Sequence, residues 1–203
     1  RSTEGFRIGR QERKLGQRAT DATQLFFDDV FLPPRHLIGN ERSGWALNRN
    51  VLNYSRVPVG AIALGIARGA VEAATAFARE SRLNNRPLVA YQEVQLALAE
   101  MWLDTMAMRG LLWQSARHSL PQQGIAAAAK AFCGDLAFGV ANRAMELLGD
   151  HGYLVTSGVE KAMRDARLNQ IYEGTNQINF LAFIEAFWES DIAGSDTCQP
   201  YPS

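Results

Sequence analysis

Small side chains recur at helical spacing through the middle of this chain, and they restrict its fold more than any other feature. Gly60, Ala63, Ala67, Ala70 and Ala74 fall three or four residues apart, with Gly65 and Gly69 nearby. Residues so spaced share one helix face. A face this thin lets a second helix approach closely, which predicts core packing of helix on helix. The host helix is expected over roughly Trp45 to Arg82, with Asn84-Asn85-Arg86-Pro87 breaking it. A second helix follows over about Leu88 to His118, with Val94, Leu98, Met101, Trp102, Met106 and Leu112 as its apolar face. After a loop at Leu120–Gly124, a third runs from about Ile125 to Leu148 through an alanine run, Phe132, Leu136, Val140 and Leu147. Gly149 and Gly152 suit the left-handed backbone that ends helices. A short helix over Val159–Leu168 and a last one from Thr175 to about Trp188 complete the pattern. Long helices with short connections predict a mainly α fold, an antiparallel four-helix up-down bundle.

The first 40 residues differ. Gly5-Phe6-Arg7-Ile8-Gly9 alternates apolar with polar, and Ala22 to Leu32 reads as one strand, kinked at Asp28-Asp29 and stopped by Pro33-Pro34. Lys14-Leu15-Gly16-Gln17-Arg18 is the turn between them. Strands this short cannot bury a core alone. They read as the last strands of a β-domain over residues 1–40, followed by the bundle over 41–190 and a polar tail over 191–203 that orders only on a partner. The chain starts at Arg1 without a methionine, so it reads as the C-terminal part of something longer, and a missing targeting signal proves little.

Composition excludes some function classes. There are 21 basic and 21 acidic residues and no basic run interleaved with aromatics, so nucleic-acid binding has no support. Cys133 and Cys198 lie far apart and suggest no disulfide framework but a reducing compartment. No apolar run reads as long enough to span a membrane. His36, His118 and His151 lack the spacing of metal ligands, and each reads as a surface or capping residue. No glycine-rich phosphate loop stands between strand and helix.

One stretch invites chemistry: Met163-Arg164-Asp165-Ala166 through Ile171-Tyr172-Glu173-Gly174-Thr175 to Ile178. Glu173 has a flexible neighbour, an apolar flank and a helix start beside it, a setting that can aim and desolvate a general base. On spacing alone the favoured reading is the simpler one, Glu173 as a solvated turn residue before an N-capping Thr175.

Lys14-Leu-Gly-Gln-Arg18, Phe27-Asp-Asp-Val30 with Pro33, Gly149 with Gly152-Tyr153, Met163-Arg-Asp-Ala166 and Ile171-Tyr-Glu-Gly-Thr175, in this order, resemble the C-terminal half of flavin-dependent acyl-CoA dehydrogenases. The likeness runs from about Gly5 to Trp188. It implies a family fold of N-terminal helices, a middle β-domain and a C-terminal four-helix bundle, of which this chain holds the end of the second and the third. It also implies that Glu173 takes the α-proton of an acyl-CoA thioester while hydride goes to FAD, leaving a trans-2-enoyl-CoA. The thioester oxygen would accept a bond from the Glu173 N–H, and apolar packing near Ile171 and Tyr172 would raise the base's pKa. Some relatives carry the base near the position of Ser55, which is not acidic here. By the same likeness Arg56, Asn53 and Gly174 lie at the substrate, although Arg56 equally suits a structural ion pair. Thr175, Asn176, Gln177 and Gln92 fall at positions that contact FAD.

The sequence also departs from the family. The family grips the far half of FAD across a subunit interface with an Arg, a Phe-Gly pair and a Gln-x-x-Gly-Gly motif. Here Ser81, Asn84, Asn85, Glu146 and Asp150 stand at those positions. The resemblance therefore allows two expectations: a flavin enzyme, or a supporting subunit of a heteromer acting through its helical bundle. It implies a homo-oligomer, dimer or tetramer, or a heteromer, an electron-transfer flavoprotein as acceptor, and a cytoplasmic (bacterial) or mitochondrial-matrix location. A 203-residue chain lacking most of the β-domain is expected to bind FAD poorly and to be inactive alone.

Overall fold

The computed structural model describes residues 3–117 and 123–192. His118, Leu120 to Gln122 of the expected loop, Cys198 and the tail from 193 lie outside the described residues. Five α-helices dominate: α1 Gly44–Glu80, α2 Gln92–Ala116, α3 Gln123–Leu148, α4 Val159–Leu168 and α5 Asn176–Ile192. Two antiparallel hairpins accompany them, β1 Phe6–Gln11 with β2 Thr23–Phe27, and β3 Arg82–Leu83 with β4 Arg86–Pro87.

The small-residue stripe is the core of the bundle. Ala63, Ala67, Ala70 and Ala74 of α1 are buried together with Ala129, Ala137, Ala141 and Ala144 of α3 and Met101 and Met108 of α2. Gly60 is needed at its place: a Cβ there would lie 2.7 Å from Leu112 Cδ2. Gly60 thus faces Leu112, while Thr75 accepts a bond from Trp102 Nε1 at 3.3 Å, so α1 and α2 are antiparallel. Cys133 Sγ faces the Met108 carbonyl at 3.8 Å, and Arg143 reaches Glu100 at 3.3 Å. These contacts set α3 antiparallel to α2. The Cys133 thiol, a free cysteine, is pushed by burial to about 12 and is inert as a nucleophile.

The fourth column of the bundle is not one helix but two. It runs antiparallel to α3: Arg167 over Phe138, Gln170 against Asp135, Asn169 against Gly134, Gly174 against Lys130, Ala186 against Gly124. α4 and α5 share this column, and the break between them is the Glu173 turn. A continuous helix there would place residue 173 like any other side chain. The interruption turns backbone groups toward the neighbouring helices instead.

The β-end is tied to the bundle by two motifs some 150 residues apart in sequence. Arg164 Nη1 donates to the Leu15 carbonyl at 2.8 Å, the Gln17 N–H donates to the Asp165 carboxylate, and Gln17 Nε2 donates to the Asp165 carbonyl at 3.2 Å. Asp165 is buried, and the turn closes on it through Gln17 in a left-handed conformation, φ 45°.

Several expectations are corrected. The β2 strand ends at Phe27, because Asp29 takes φ 48° and leaves the extended region. α1 ends at Glu80: Ser81 is extended and Arg82 enters β3. The Asn84-Asn85 helix break is also a hairpin, with φ 50° and 61° at the two residues, the backbone of a two-residue type I′ loop. α2 starts at Gln92, not Leu88, since Leu88–Ala90 forms a single 3-10 turn. Trp102, Met106 and Phe132 are exposed in place of the core positions expected for them, while Met108 is fully buried. The exclusion of a membrane span by length and composition also fails: windows in α1 and in Gly124–Tyr153 reach a mean hydropathy of 1.4. Much of that apolarity is the stripe that α1 and α3 bury on each other.

The hairpin gives a first prediction. Asn tolerates left-handed backbone but a β-branched residue does not, so Asn84→Val is expected to cost about 1–2 kcal/mol. Asn85→Gly is expected to be neutral or slightly stabilising. Paired thermal melts check this, and an unchanged midpoint for Asn84→Val would sink it.

Candidate active site

α4 closes with the Ile171 N–H donating to the Leu168 carbonyl at 2.9 Å and the Tyr172 N–H to the same oxygen at 3.2 Å. Then the chain reverses through two left-handed residues, Glu173 at φ 56° and Gly174 at φ 83°. A glycine takes that conformation freely, but a glutamate costs about 1 kcal/mol or more and must be held. The holding groups come from behind. Asn179 Nδ2 donates to the Gly174 carbonyl at 2.8 Å and lies 3.0 Å from that of Thr175. Lys130 Nζ donates to the Gly174 carbonyl at 2.6 Å. The Asn176 N–H closes the loop on the Gln170 carbonyl at 3.1 Å.

On the other side the Ser55 hydroxyl of α1 donates to Glu173 Oε2 at 2.5 Å. Pro58, inside α1, lacks the N–H that would bond the Tyr54 carbonyl, so the helix backbone is interrupted beside Ser55. Arg56 is buried. Its Nη1 donates to Asn53 Oδ1 at 3.3 Å, its Nη2 comes within 3.9 Å of where a Gly174 Cβ would stand, and its Nε has no partner. Among the described residues Arg56 forms no ion pair, although Glu173 is close enough to act on its charge. The Glu173 N–H likewise has no acceptor among the described residues.

Two cations and two carboxylates, Arg56, Lys130, Glu173 and Asp135, share this neighbourhood. Burial lowers the Arg56 pKa from its ordinary value, against the pull of Glu173. Burial, then Arg56, lowers Lys130 from 10.5 to about 8, with Asp135 and Glu173 opposing. Burial raises the Tyr172 phenol, whose hydroxyl donates to Asn169 Oδ1 at 3.0 Å. The Lys130 shift carries a sign. Between pH about 8 and 10.5 the folded chain has released this proton and the unfolded chain still holds it, so raising pH favours folding there. Below pH about 8 both states are charged and the contribution is flat. Thermal midpoints of the wild type and Lys130→Met across that window test this: the wild type gains relative to the variant as pH rises, and parallel curves would refute it.

The structure brings together Glu173, Gly174, Arg56 and Asn53, with Ser55 added. Thr175 precedes α5 and accepts a 3.4 Å bond from the Ile178 N–H; it and Gln177 are exposed. Asn176 is turned inward, bonded to the Ala131 carbonyl at 3.1 Å and to Asp135 at 2.8 Å. Ile171 is 54% exposed and does not wall the carboxylate, contrary to expectation.

Gln92 belongs to the opposite end of the bundle, with Ser81, Asn84, Asn85, Glu146 and Asp150. Along α1, Arg56 and Ser81 are 25 residues apart, about 37 Å at 1.5 Å per residue. The two ends therefore form separate sites on one chain. The orphaned Arg56 Nε, the unused Glu173 N–H and the exposed Thr175 and Gln177 fit the near half of an FAD site. The far end fits poorly. Glu146 accepts from Asn142 Nδ2 at 2.8 Å and Asp150 from the His151 N–H at 2.9 Å, so carboxylates stand where a pyrophosphate needs donors. Arg82 and Arg86 are engaged by the Asn85 and Ala90 carbonyls. His151 packs on Phe77 with ring centroids 5.4 Å apart, and His36 lies in an exposed turn. Among the described residues no group of three or more His, Cys, Asp or Glu is placed to hold a metal ion.

Lys130, Asn179 and Asp135 escaped the sequence reading. Lys130 is a lone polar residue in the alanine run of α3, and that interruption was its signal; Asn179 and Asp135 carried none.

Comparison with known proteins points to one family. A family profile described as "Acyl-CoA dehydrogenase, C-terminal domain" matches residues 42–186. The probable acyl-CoA dehydrogenase FadE25 of Mycobacterium tuberculosis is 38% identical over 179 residues, covering 86% of this chain and 46% of that protein. The structure of butyryl-CoA dehydrogenase from Megasphaera elsdenii superposes with a TM-score of 0.90 at 32% identity, over 92% of this chain and 50% of that one. A chain in the structure described as the electron transferring flavoprotein of Acidaminococcus fermentans gives 0.90 at 34% identity, with coverage of 92% and 50%. The chain spans about half the length of the relatives it matches.

Proposed function

Because the chain belongs to the acyl-CoA dehydrogenase family, we propose that it is the C-terminal part of an FAD-dependent enzyme that converts an acyl-CoA thioester to the trans-2-enoyl-CoA, with Glu173 as base. The observation that carries this reading is the Glu173 turn, in which a carboxylate held by Ser55 stands beside an unused backbone N–H and the buried Arg56. Residues 1–40 are read as the end of a middle β-domain and 41–190 as the C-terminal bundle.

The α-proton of a thioester is weakly acidic, so two events must be coupled. Glu173 Oε takes the proton while the developing enolate oxygen accepts the Glu173 N–H. Ser55 fixes the direction of the carboxylate. Arg56 keeps positive charge next to it and, through Asn53, a fixed orientation. Gly174 leaves room for substrate against the turn. The start of α5 at Thr175 and Gln177 would hold the near side of FAD, which when bound would supply the acceptor for the β-hydrogen. An electron-transfer flavoprotein is the proposed acceptor from the reduced enzyme, in keeping with the Acidaminococcus fermentans neighbour.

Anaerobic mixing of the full-length, flavin-loaded protein that contains this chain with saturated acyl-CoA thioesters should bleach the flavin absorbance; no bleaching with any chain length would overturn the reading. Glu146 and Asp150 favour a second one, a supporting subunit in a heteromer whose far-end interface carries no flavin. Flavin content separates them: one FAD per chain supports the enzyme, half or none the supporting subunit.

A further inference from the structure

Lys130 is fully buried on α3, alone among Ala126, Ala127, Ala129 and Ala131. A buried ammonium is a costly way to fill a core position, and an apolar side chain of the same length would pack there without desolvation. What the lysine adds is direction. Two of its donors are spent on the Glu173 turn: one on the Gly174 carbonyl at 2.6 Å, one on Asn176 Oδ1 at 3.0 Å. The first fixes the peptide that follows the left-handed pair Glu173-Gly174. The second fixes the first residue of α5. Asn179 reaches the same carbonyl at 2.8 Å, but with a neutral amide. Lys130 is thus the cationic donor that joins the turn's own carbonyl to the central helix, beside Asp135, which accepts from Gln170 Nε2 at 2.7 Å and Asn176 Nδ2 at 2.8 Å on either side of the turn. The ionised groups acting on it are Arg56 from α1, Glu173 from the turn and Asp135 from α3 itself.

We propose that Lys130 is a positioning residue for proton abstraction: by clamping the Gly174 carbonyl and Asn176, its ammonium holds Glu173 in the left-handed conformation that aims the carboxylate and frees the Glu173 N–H. This rests on the reading of Glu173 as the base. The role runs through the turn and includes no contact of Lys130 with substrate. Loss of the clamp lets the turn relax, and a base displaced by about 1 Å loses about a hundredfold in rate.

The test uses the full-length, flavin-loaded protein that contains this chain and reads wash-in of solvent deuterium at the α-carbon of a saturated acyl-CoA, alongside kcat, KM, flavin content and the thermal midpoint. For Lys130→Met we expect exchange and kcat to fall together by about tenfold to a hundredfold. KM and flavin content should stay within about twofold, a split that a merely destabilised bundle does not give. Lys130→Gln, which keeps one neutral donor, should fall between the two and stands in if the methionine variant does not fold. Wild-type exchange in either folded variant would overturn the proposal, as would a loss of flavin and of kcat in proportion. Glu173→Gln is run in parallel: if it too exchanges at the wild-type rate, the base assignment fails, whereas loss of exchange in Glu173→Gln alone removes only the role of Lys130.

Discussion

Glu173→Gln is expected to lower kcat for acyl-CoA dehydrogenation by about a thousandfold while leaving binding of the thioester within a few-fold, because a general base contributes on the order of 10²–10⁴ in rate. Glutamine is the right probe for this turn. Its side chain has the same length, and its carbonyl oxygen still accepts the Ser55 hydroxyl that now bonds Glu173 Oε2. The carbonyls of Gly174 and Thr175 keep their bonds from Lys130 and Asn179, so the left-handed pair stays in place. What is lost is the capacity to take a proton. Glu173→Asp makes the complementary point: it keeps the basicity but withdraws the carboxylate by one methylene, so a loss of about a hundredfold is expected from misplacement alone. Single-turnover flavin reduction reads both. A glutamine variant that reduces flavin at close to the wild-type rate would remove Glu173 from the chemistry.

How much of this was legible in the residues depends on what each residue had to meet. The alanine stripe of α1 was readable because small side chains at helical spacing admit few uses, and Ala63, Ala67, Ala70 and Ala74 are all buried. Trp102, Met106 and Phe132 misled because periodicity marks an apolar stripe but not which part of it a neighbour covers; on α2 the expected Met101 is buried, together with Met108, which the reading had left out. The Asn84-Asn85 hairpin hid behind its correct reading as a helix break, since both outcomes use the same left-handed tolerance. Glu173 could be picked out by its neighbours, but its partners could not. Ser55 lies 118 residues from Glu173, and Lys130, on the central helix, 44 residues from Gly174. Only the split fourth column, α4 then α5, brings them to one turn. The register of that column against α3 is a tertiary fact with no local code.

Gly16→Ala is expected to destabilise the chain by about 2–3 kcal/mol, the scale of overpacking against atoms that cannot rotate away, and to lower the thermal midpoint by roughly 5–10 °C for a domain of this size. The reason is contact, not backbone strain. A Cβ on Gly16 would lie 2.2 Å from the Arg164 carbonyl oxygen, 2.4 Å from its carbon and 2.7 Å from the Asp165 nitrogen. All three are backbone atoms of α4, so the turn must lift off the helix. Lifting breaks the Arg164 bond to the Leu15 carbonyl and the Gln17 bond to Asp165, leaving that buried carboxylate with Lys161 as its remaining partner. Gly65→Ala is the control. Its added Cβ meets nothing within 4 Å, so removing a glycine from the interior of α1 should stabilise by up to about 1 kcal/mol. Equal melting shifts for the two variants would show that the β-end is not seated on α4. Opposite signs would show that it is, and then Gly16→Ala should also slow dehydrogenation, because α4 runs from that seat directly into the Glu173 turn.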